Sequence, residues 1–409
     1  MKGLNSDYYL IIICSLVVVS YLFSLVSRYI KVPSVLLLLF AGIGLRYIAN
    51  QSGLTVQFPA KLVEVLGIVG LIMIVFEAGL DLKLGKEKLT LIRNSFFSAL
   101  VILIISCVFI SAILYYWLKE PVIKCIVYAI PLSIMSSSIV IPSLHLLTNA
   151  KKEFLVYEAS FSDILGIMLF NYFVADEIMT WRSAGIFGAN ILVSIILSLL
   201  LSFILLFVLA KTKLNIKFFL IFSLLILIYS GGKIFHLPSL IVILVFGLMI
   251  NNWEKIPISK LSHYFPQSQV ESLRHLLHSI TAESSFLIRT FFFLLFGFSI
   301  QLNFVSENEV VIVGGLIVVA LLAVRFLYLR FFLKTNIFPE VVFIPRGLIT
   351  IVLFYKIPTG LMLATFNEGI LFFVILCSSI IMTIGMIFYK KGNEEVVEEG
   401  QFSERSNLL

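Results

Sequence analysis

The feature that most constrains this chain is a succession of apolar runs, most of them near span length, that fills almost its whole sequence. A hydrocarbon core about 30 Å thick takes roughly 20 residues of helix at about 1.5 Å each. Lipid offers no hydrogen bonds to the backbone, so such runs fold as membrane helices. They fall at 8–27, 33–49, 60–80, 94–118, 122–147, 153–174 and 186–210. Six more follow at 217–230, 238–250, 281–301, 308–333, 340–364 and 366–389. The eighth and ninth are short, and Pro345, Pro358 and Gly360 leave the division between the last two open. Charged residues make up 13% of the chain and its mean hydropathy is +1.09, against about 25% charge in a soluble domain. The expected fold class is all-α, a polytopic membrane protein of about 13 transmembrane helices. Residues 1–391 form its one domain, and the acidic tail 392–409 is expected to be disordered and cytoplasmic.

Basic residues set the orientation. With the first run passing from outside to inside, the inner segments hold 19 Lys and Arg, the outer segments 8, and Arg289, Arg325 and Arg346 lie within spans. That bias puts the N-terminus outside and the C-terminus in the cytoplasm of a cell-membrane protein. The net charge of +7 therefore reports topology, not nucleic-acid binding. Cys14, Cys107, Cys125 and Cys377 lie in or beside apolar runs without CxxC spacing, which argues against a disulfide framework or a zinc site. The N-terminus carries no small-residue cleavage pattern, and no GxGxxG follows a strand pattern, so no nucleotide-binding domain is expected.

The sixth run carries two carboxylates. Glu158 lies about five residues above Lys151 and Lys152, and Asp163 about ten, near the middle of the membrane. A charge at that depth costs roughly 2.5 to 3.5 kcal/mol on insertion scales and marks a functional site by default. At 100° per residue Glu158 shares a face with Ser162, whereas Asp163 is rotated away by about 140°. A buried Glu158 requires a cation. Arg325 lies at a similar depth and is preferred, with Arg346 second; Arg289 has Glu283 nearby in sequence. A structural ion pair accounts for Glu158 and leaves Asp163 available.

An odd number of spans with the seventh as linker permits two inverted six-helix repeats. Their fifth members are both broken: one holds Pro131, Ser136, Ser137, Ser138 and Pro142, the other Pro345, Arg346 and Gly347. These residues either kink packed helices or unwind them at a binding cavity, and Ser137 lies at the depth of Asp163. Weaker features remain. Glu64 and Glu77 lie near the ends of the third run, and 270–280 reads as an amphipathic interfacial helix bearing His275 and His278.

Glu158-Ala159-Ser160-Phe161-Ser162-Asp163 resembles the Glu-x-x-x-Asn-Asp signature of sodium/hydrogen exchangers in the monovalent cation:proton antiporter superfamily. Phe76-Glu77-Ala78-Gly79-Leu80, the stretch Phe291 to Gly297, Ala323-Val324-Arg325 and Pro345-Arg346-Gly347 are similar too, in the same span order. The resemblance implies a homodimer in the lipid bilayer, in which residues 1–391 form an antiporter domain whose core moves against a dimerisation domain. It assigns cation and proton binding to Asp163 and a structural pair to Glu158 and Arg325. Ser162 departs from it, standing where exchangers carry Asn and potassium-efflux relatives Gln.

The chemistry follows from one desolvated acid. Burial disfavours its charge, so a proton and a cation compete for it. A hard cation such as Na⁺ takes oxygen ligands, which Asp163, Ser162, Ser136, Ser137, Ser138, unwound carbonyls and water can supply. The expected function is Na⁺/H⁺ exchange by alternating access, electroneutral and one for one, with no cofactor beyond the transported ions; K⁺ or Li⁺ are alternative cargoes. A potassium-efflux protein is the runner-up, and a passive cation channel or a non-transporting sensor is more remote. No enzymatic activity is expected.

Overall fold

The computed structural model describes residues 6–30, 32–51, 60–85, 88–144, 147–174, 193, 196–204, 218–234, 239–255, 267–300, 307–333 and 337–389. Most of the seventh apolar run and the acidic tail lie outside them. The described residues are mostly α-helical, with no strand among them. By length and composition, six stretches among them can cross a membrane: Ser34–Gln51, Leu89–Leu118, Val122–Ser143, Val270–Ser299, Asn308–Phe332 and Glu368–Phe388.

The first helices are α1 (Ser6–Ile30), α2 (Ser34–Gln51), α3 (Ala60–Asp81) and α4 (Leu89–Leu118). The fifth run divides into α5 (Val122–Ser133) and α6 (Ser137–Ser143), and α7 (Asn149–Val174) carries both carboxylates. Then come α8 (Phe218–Ile234), α9 (Ser239–Asn251), α10 (Gln267–Ser299) and α11 (Asn308–Tyr328). Two helices close the fold, α12 (Leu348–Phe354) and α13 (Glu368–Phe388).

Two differences from the sequence reading have physical causes. The segment 270–280 is not a separate interfacial helix but the beginning of α10, because neither Pro nor Gly stands between Gln267 and Phe296 to stop it. A helix of 33 residues measures about 50 Å, well beyond the hydrocarbon thickness. The twelfth run, expected as a span over 340–364, is helical only at α12 and two 3₁₀ turns. Pro345 and Pro358 cannot donate to a helix ladder, and the backbone around each is extended or turned.

Packing sorts the helices into two groups. In one, α10 lies against α2 and α3, α3 against α9, α1 against α2 and α8 against α9. In the other, α4 lies against α5, α7 and α11, and α11 against α13. The element α12 touches both, through α3 on one side and α5 on the other. In the first group helices meet backbone to backbone. A Cβ on Gly42 would fall 2.3 Å from the Leu294 carbonyl oxygen, and one on Gly297 2.3 Å from that of Leu39. Gly79 and Gly247 bring α3 and α9 together in the same way. Small residues are how membrane helices gain packing when lipid supplies no hydrophobic drive. Toward α12 the contacts of α3 run through side chains: Gly67 faces Val352, and Gly70 faces Leu348.

Candidate functional site

The break between α5 and α6 frees backbone groups that have no helical partner, and the structure answers five of them. Pro131 lacks an N–H, α5 ends at Ser133, and Ile134 is extended. Beyond it, the Met135 N–H donates to Ser162 Oγ at 2.9 Å and the Ser136 N–H to the Pro345 carbonyl at 3.0 Å. The Ser137 N–H donates to Asp163 Oδ2 at 3.3 Å. On the other side of the break Arg346 donates from Nε to the Leu132 carbonyl at 2.8 Å and from Nη2 to that of Ser133 at 3.1 Å. Its Nη1 donates to Ile344 at 2.5 Å, and its backbone N–H to Ser378 Oγ at 3.2 Å. Unwound backbone is tolerated at membrane depth only when satisfied in this manner. Arg346 also puts positive charge at the carbonyl end of α5, where the helix dipole is negative.

The second break, 343–347, crosses the first at Ser136. Gly347 is required there, because a Cβ would lie 2.4 Å from Ser136 Oγ. Ser136 and Ser138 share a hydrogen bond of 2.8 Å. Beside them Gly166 of α7 leaves room for Ile134, whose Cδ1 would meet an added Cβ at 2.3 Å.

Asp163 sits at this crossing and is 3% exposed. Its Oδ1 has no hydrogen-bond partner among the described residues, nor has Ser137 Oγ, although that hydroxyl lies beside the carboxylate. Two buried oxygens left open on one another's border, one of them formally charged, have the chemistry to hold a proton or a hard cation. Among the described residues no three His, Cys, Asp or Glu side chains gather as a metal-binding cluster. Ser162 comes to the same place with its Oγ already accepting from Met135.

Glu158 belongs to a different network. Arg325 Nη2 lies 2.8 Å from its Oε2 and Nη1 3.1 Å from its Oε1, while Ser98 Oγ donates to Oε1 at 2.5 Å. The Arg325 Nε donates to the Glu340 carbonyl at 2.6 Å, and the Glu340 side chain meets Lys151 at 3.3 Å. The pair is fully enclosed, 2% and 1% exposed, and fork-on-fork geometry with extra hydrogen bonds is what makes a buried pair tolerable. A small cavity runs from this pair to Ser162 and Arg346, lined also by Ser133 and Met135.

Arg289 and Glu77, two further candidates, lie in the other helix group. Arg289 Nη2 is 3.9 Å from Glu77 Oε1, with Ser285 beside the carboxylate. Glu283, the sequence neighbour of Arg289, is instead hydrogen-bonded by the Tyr21 hydroxyl of α1. His278 contacts Asp81 at 2.8 Å, and His275 is exposed. Sequence reasoning missed Ser98, Lys151 and Glu340, which carry no motif, and it missed what Arg346 does. The signal for Arg346 was present: a lone cation placed in one broken helix suits the orphan carbonyls of another.

A model of the family described as sodium/hydrogen exchanger, transmembrane, matches residues 14–389. Among solved structures, the fold is similar to that of the sodium proton antiporter MjNhaP1 from Methanocaldococcus jannaschii at pH 8, with a TM-score of 0.69 and 17% identity. That match covers 93% of this chain and 100% of the other. The electron-microscopy map of the same antiporter matches with a TM-score of 0.65 and 17% identity, covering 94% of this chain and 95% of the other. No curated protein is a significant sequence match.

Proposed function

This chain belongs to the sodium/hydrogen exchanger family, and on that premise we propose that it exchanges Na⁺ for H⁺ with Asp163 as the shared site. Cation/proton antiport is the family's activity; the ion, the site and the cycle are our reading. The observation that carries it is the buried Asp163 Oδ1, open to a ligand beside the open Ser137 hydroxyl, where two broken helices cross. In the cycle, the helix group holding α4–α7, α11 and α13 moves against the group holding α1–α3 and α8–α10. It crosses readily only when a proton or a cation neutralises Asp163, because an uncompensated charge in low dielectric is costly. One acid taking one ligand at a time gives electroneutral exchange. Glu158 and Arg325 hold the moving group together and take no part in binding. Asp163 Oδ1 and Ser137 Oγ are the first ligands of the cation, completed by water. Ser162 serves by holding the unwound segment, and Ser136 and Ser138 by bracing it. The chain works as a homodimer in the cell membrane with its N-terminus outside, built as two inverted repeats. That reading is supported by the charge bias and by the like grouping of the first three and last three spans of each half.

The test is proton movement in proteoliposomes on addition of Na⁺, K⁺ or Li⁺, followed by an internal pH dye. Asp163→Asn is expected to abolish exchange in protein that remains folded by size-exclusion profile. Exchange retained by that variant would refute the assignment, and cation flux that leaves internal pH unchanged would identify a channel.

A further inference from the structure

The chain passes from one helix group to the other between the end of α3 and the start of α4, and residues 82–85 of that bridge are described. Three successive residues of this bridge are held from opposite sides. The Leu82 carbonyl accepts from Asn252 Nδ2 at 2.8 Å and from Asn251 Nδ2 at 3.0 Å. The Leu84 N–H donates to Asn252 Oδ1 at 2.6 Å. Asn251 and Asn252 close α9, which packs on α3, so they belong with the group that does not carry Asp163. Between these two attachments the Lys83 carbonyl faces the other way and accepts from the Tyr157 hydroxyl of α7 at 2.7 Å. Tyr157 is buried and immediately precedes Glu158 in the helix that carries Asp163.

We propose that Asn252 is the fixed anchor of this bridge and that the Tyr157 hydroxyl on the Lys83 carbonyl is a latch that opens whenever the Asp163 helix group moves. The inference rests on the alternating-access reading above and names two positioning residues for it. The opposed directions of the attachments carry it. The buried Asn252 amide makes a two-point clasp on Leu82 and Leu84, and its Nδ2 is tied back to the Leu248 carbonyl at 2.9 Å. Asn251 adds a second bond to the Leu82 carbonyl and is itself approached by Arg274 at 3.4 Å. The moving side reaches the middle of the same segment through the Tyr157 hydroxyl on the Lys83 carbonyl, and a displacement of one or two ångströms breaks that bond. Lys88 at the far end already belongs to the α4 side and meets Glu153 of α7 at 2.5 Å, with both side chains partly exposed. In the arrangement seen here the latch is closed, so it stabilises one end state of the cycle against the other.

The experiment uses full-length protein in proteoliposomes, with Cys14, Cys107, Cys125 and Cys377 replaced by Ser and paired cysteines joined by a short reducible bis-thiosulfonate. Bridging Lys83→Cys to Tyr157→Cys is expected to arrest exchange, with recovery on reduction. Bridging Leu84→Cys to Asn252→Cys is expected to leave exchange running. Tyr157→Phe, which keeps the ring and its packing, is expected to change the exchange rate by about two- to tenfold, the worth of one hydrogen bond. A protein that exchanges freely with the 83–157 bridge closed would overturn the latch, as would arrest by the 84–252 bridge or a Tyr157→Phe rate equal to that of the parent. If the parent itself shows no cation-driven proton movement, the exchanger reading fails, and this inference fails with it.

Discussion

Replacing Gly347 by alanine tests whether the crossing of the two broken helices is what makes the site. The added Cβ would lie 2.4 Å from Ser136 Oγ, 3.0 Å from Ser136 Cβ and 3.0 Å from Ile139 Cδ1, whereas ordinary contact begins at 3.4 Å. The Ile139 methyl is the end of a side chain and can turn aside, but Ser136 cannot. Its N–H is bonded to Pro345 at 3.0 Å and its hydroxyl to Ser138 at 2.8 Å. Relief therefore means parting the two segments by about 1 Å, at a cost of about 1 to 3 kcal/mol for overpacking and about 1 kcal/mol for the strained hydrogen bond. The neighbouring residue, Ser137, holds Asp163, so the seat opens by a similar distance. Misplacement on that scale costs roughly a hundredfold in reactions that depend on orientation, and a loss of that order is expected in exchange rate at limiting cation. The assay is dye-monitored exchange, with thermal unfolding in detergent as the stability readout. The double variant Gly347→Ala, Ser136→Gly removes both obstructing atoms and is expected to recover most of the loss. Exchange at the parental rate by Gly347→Ala alone, or no recovery in the double variant, would refute the steric argument.

Two further outcomes follow from the same geometry. Glu158→Gln leaves Arg325 as a buried, uncompensated charge and is expected to destabilise the protein by about 3 to 5 kcal/mol. Replacing both by apolar residues of similar volume is expected to restore stability and keep exchange, whereas a catalytic pair would lose exchange in every combination. The second concerns pH. If one proton and one Na⁺ compete for Asp163, the apparent KM for Na⁺ rises about tenfold per unit as pH falls through the range in which the acid is protonated. A rise of about a hundredfold per unit would mean two protons for each cation, and a flat KM would mean that they bind at different places.

The sequence made some of this legible and hid the rest for identifiable reasons. Depth along a helix is a one-dimensional quantity, so counting residues was enough to set Arg325 level with Glu158, and 2.8 Å separates them in the fold. The serines were a harder case. Their order along the break says nothing about which hydroxyls are engaged, and the fold gives Ser136 to Ser138 and Ser162 to a backbone N–H while leaving Ser137 open. Arg346 was read as a candidate partner for a carboxylate, because side-chain charge is visible in a sequence and an orphan carbonyl is not. Apolar length likewise marked the twelfth run as membrane-embedded without showing that most of it is not α-helical. The third and tenth runs were correctly seen as apolar, yet the pairing of Glu77 with Arg289 needed the packing of α3 on α10, which no local pattern specifies.

The glycines divide the chain into places that can drift and places that cannot. At Gly42, Gly297, Gly79 and Gly247 the nearest atoms are backbone oxygens, nitrogens and carbons, which have nowhere to rotate, so any larger residue forces whole helices apart. At Gly67 and Gly70 the neighbours are the methyl ends of Val352, Ile288 and Leu348 and the ring of Phe292, which yield to an alanine by changing rotamer. Substitutions should accumulate along that softer seam, letting turnover be tuned over generations while the riveted half keeps its shape.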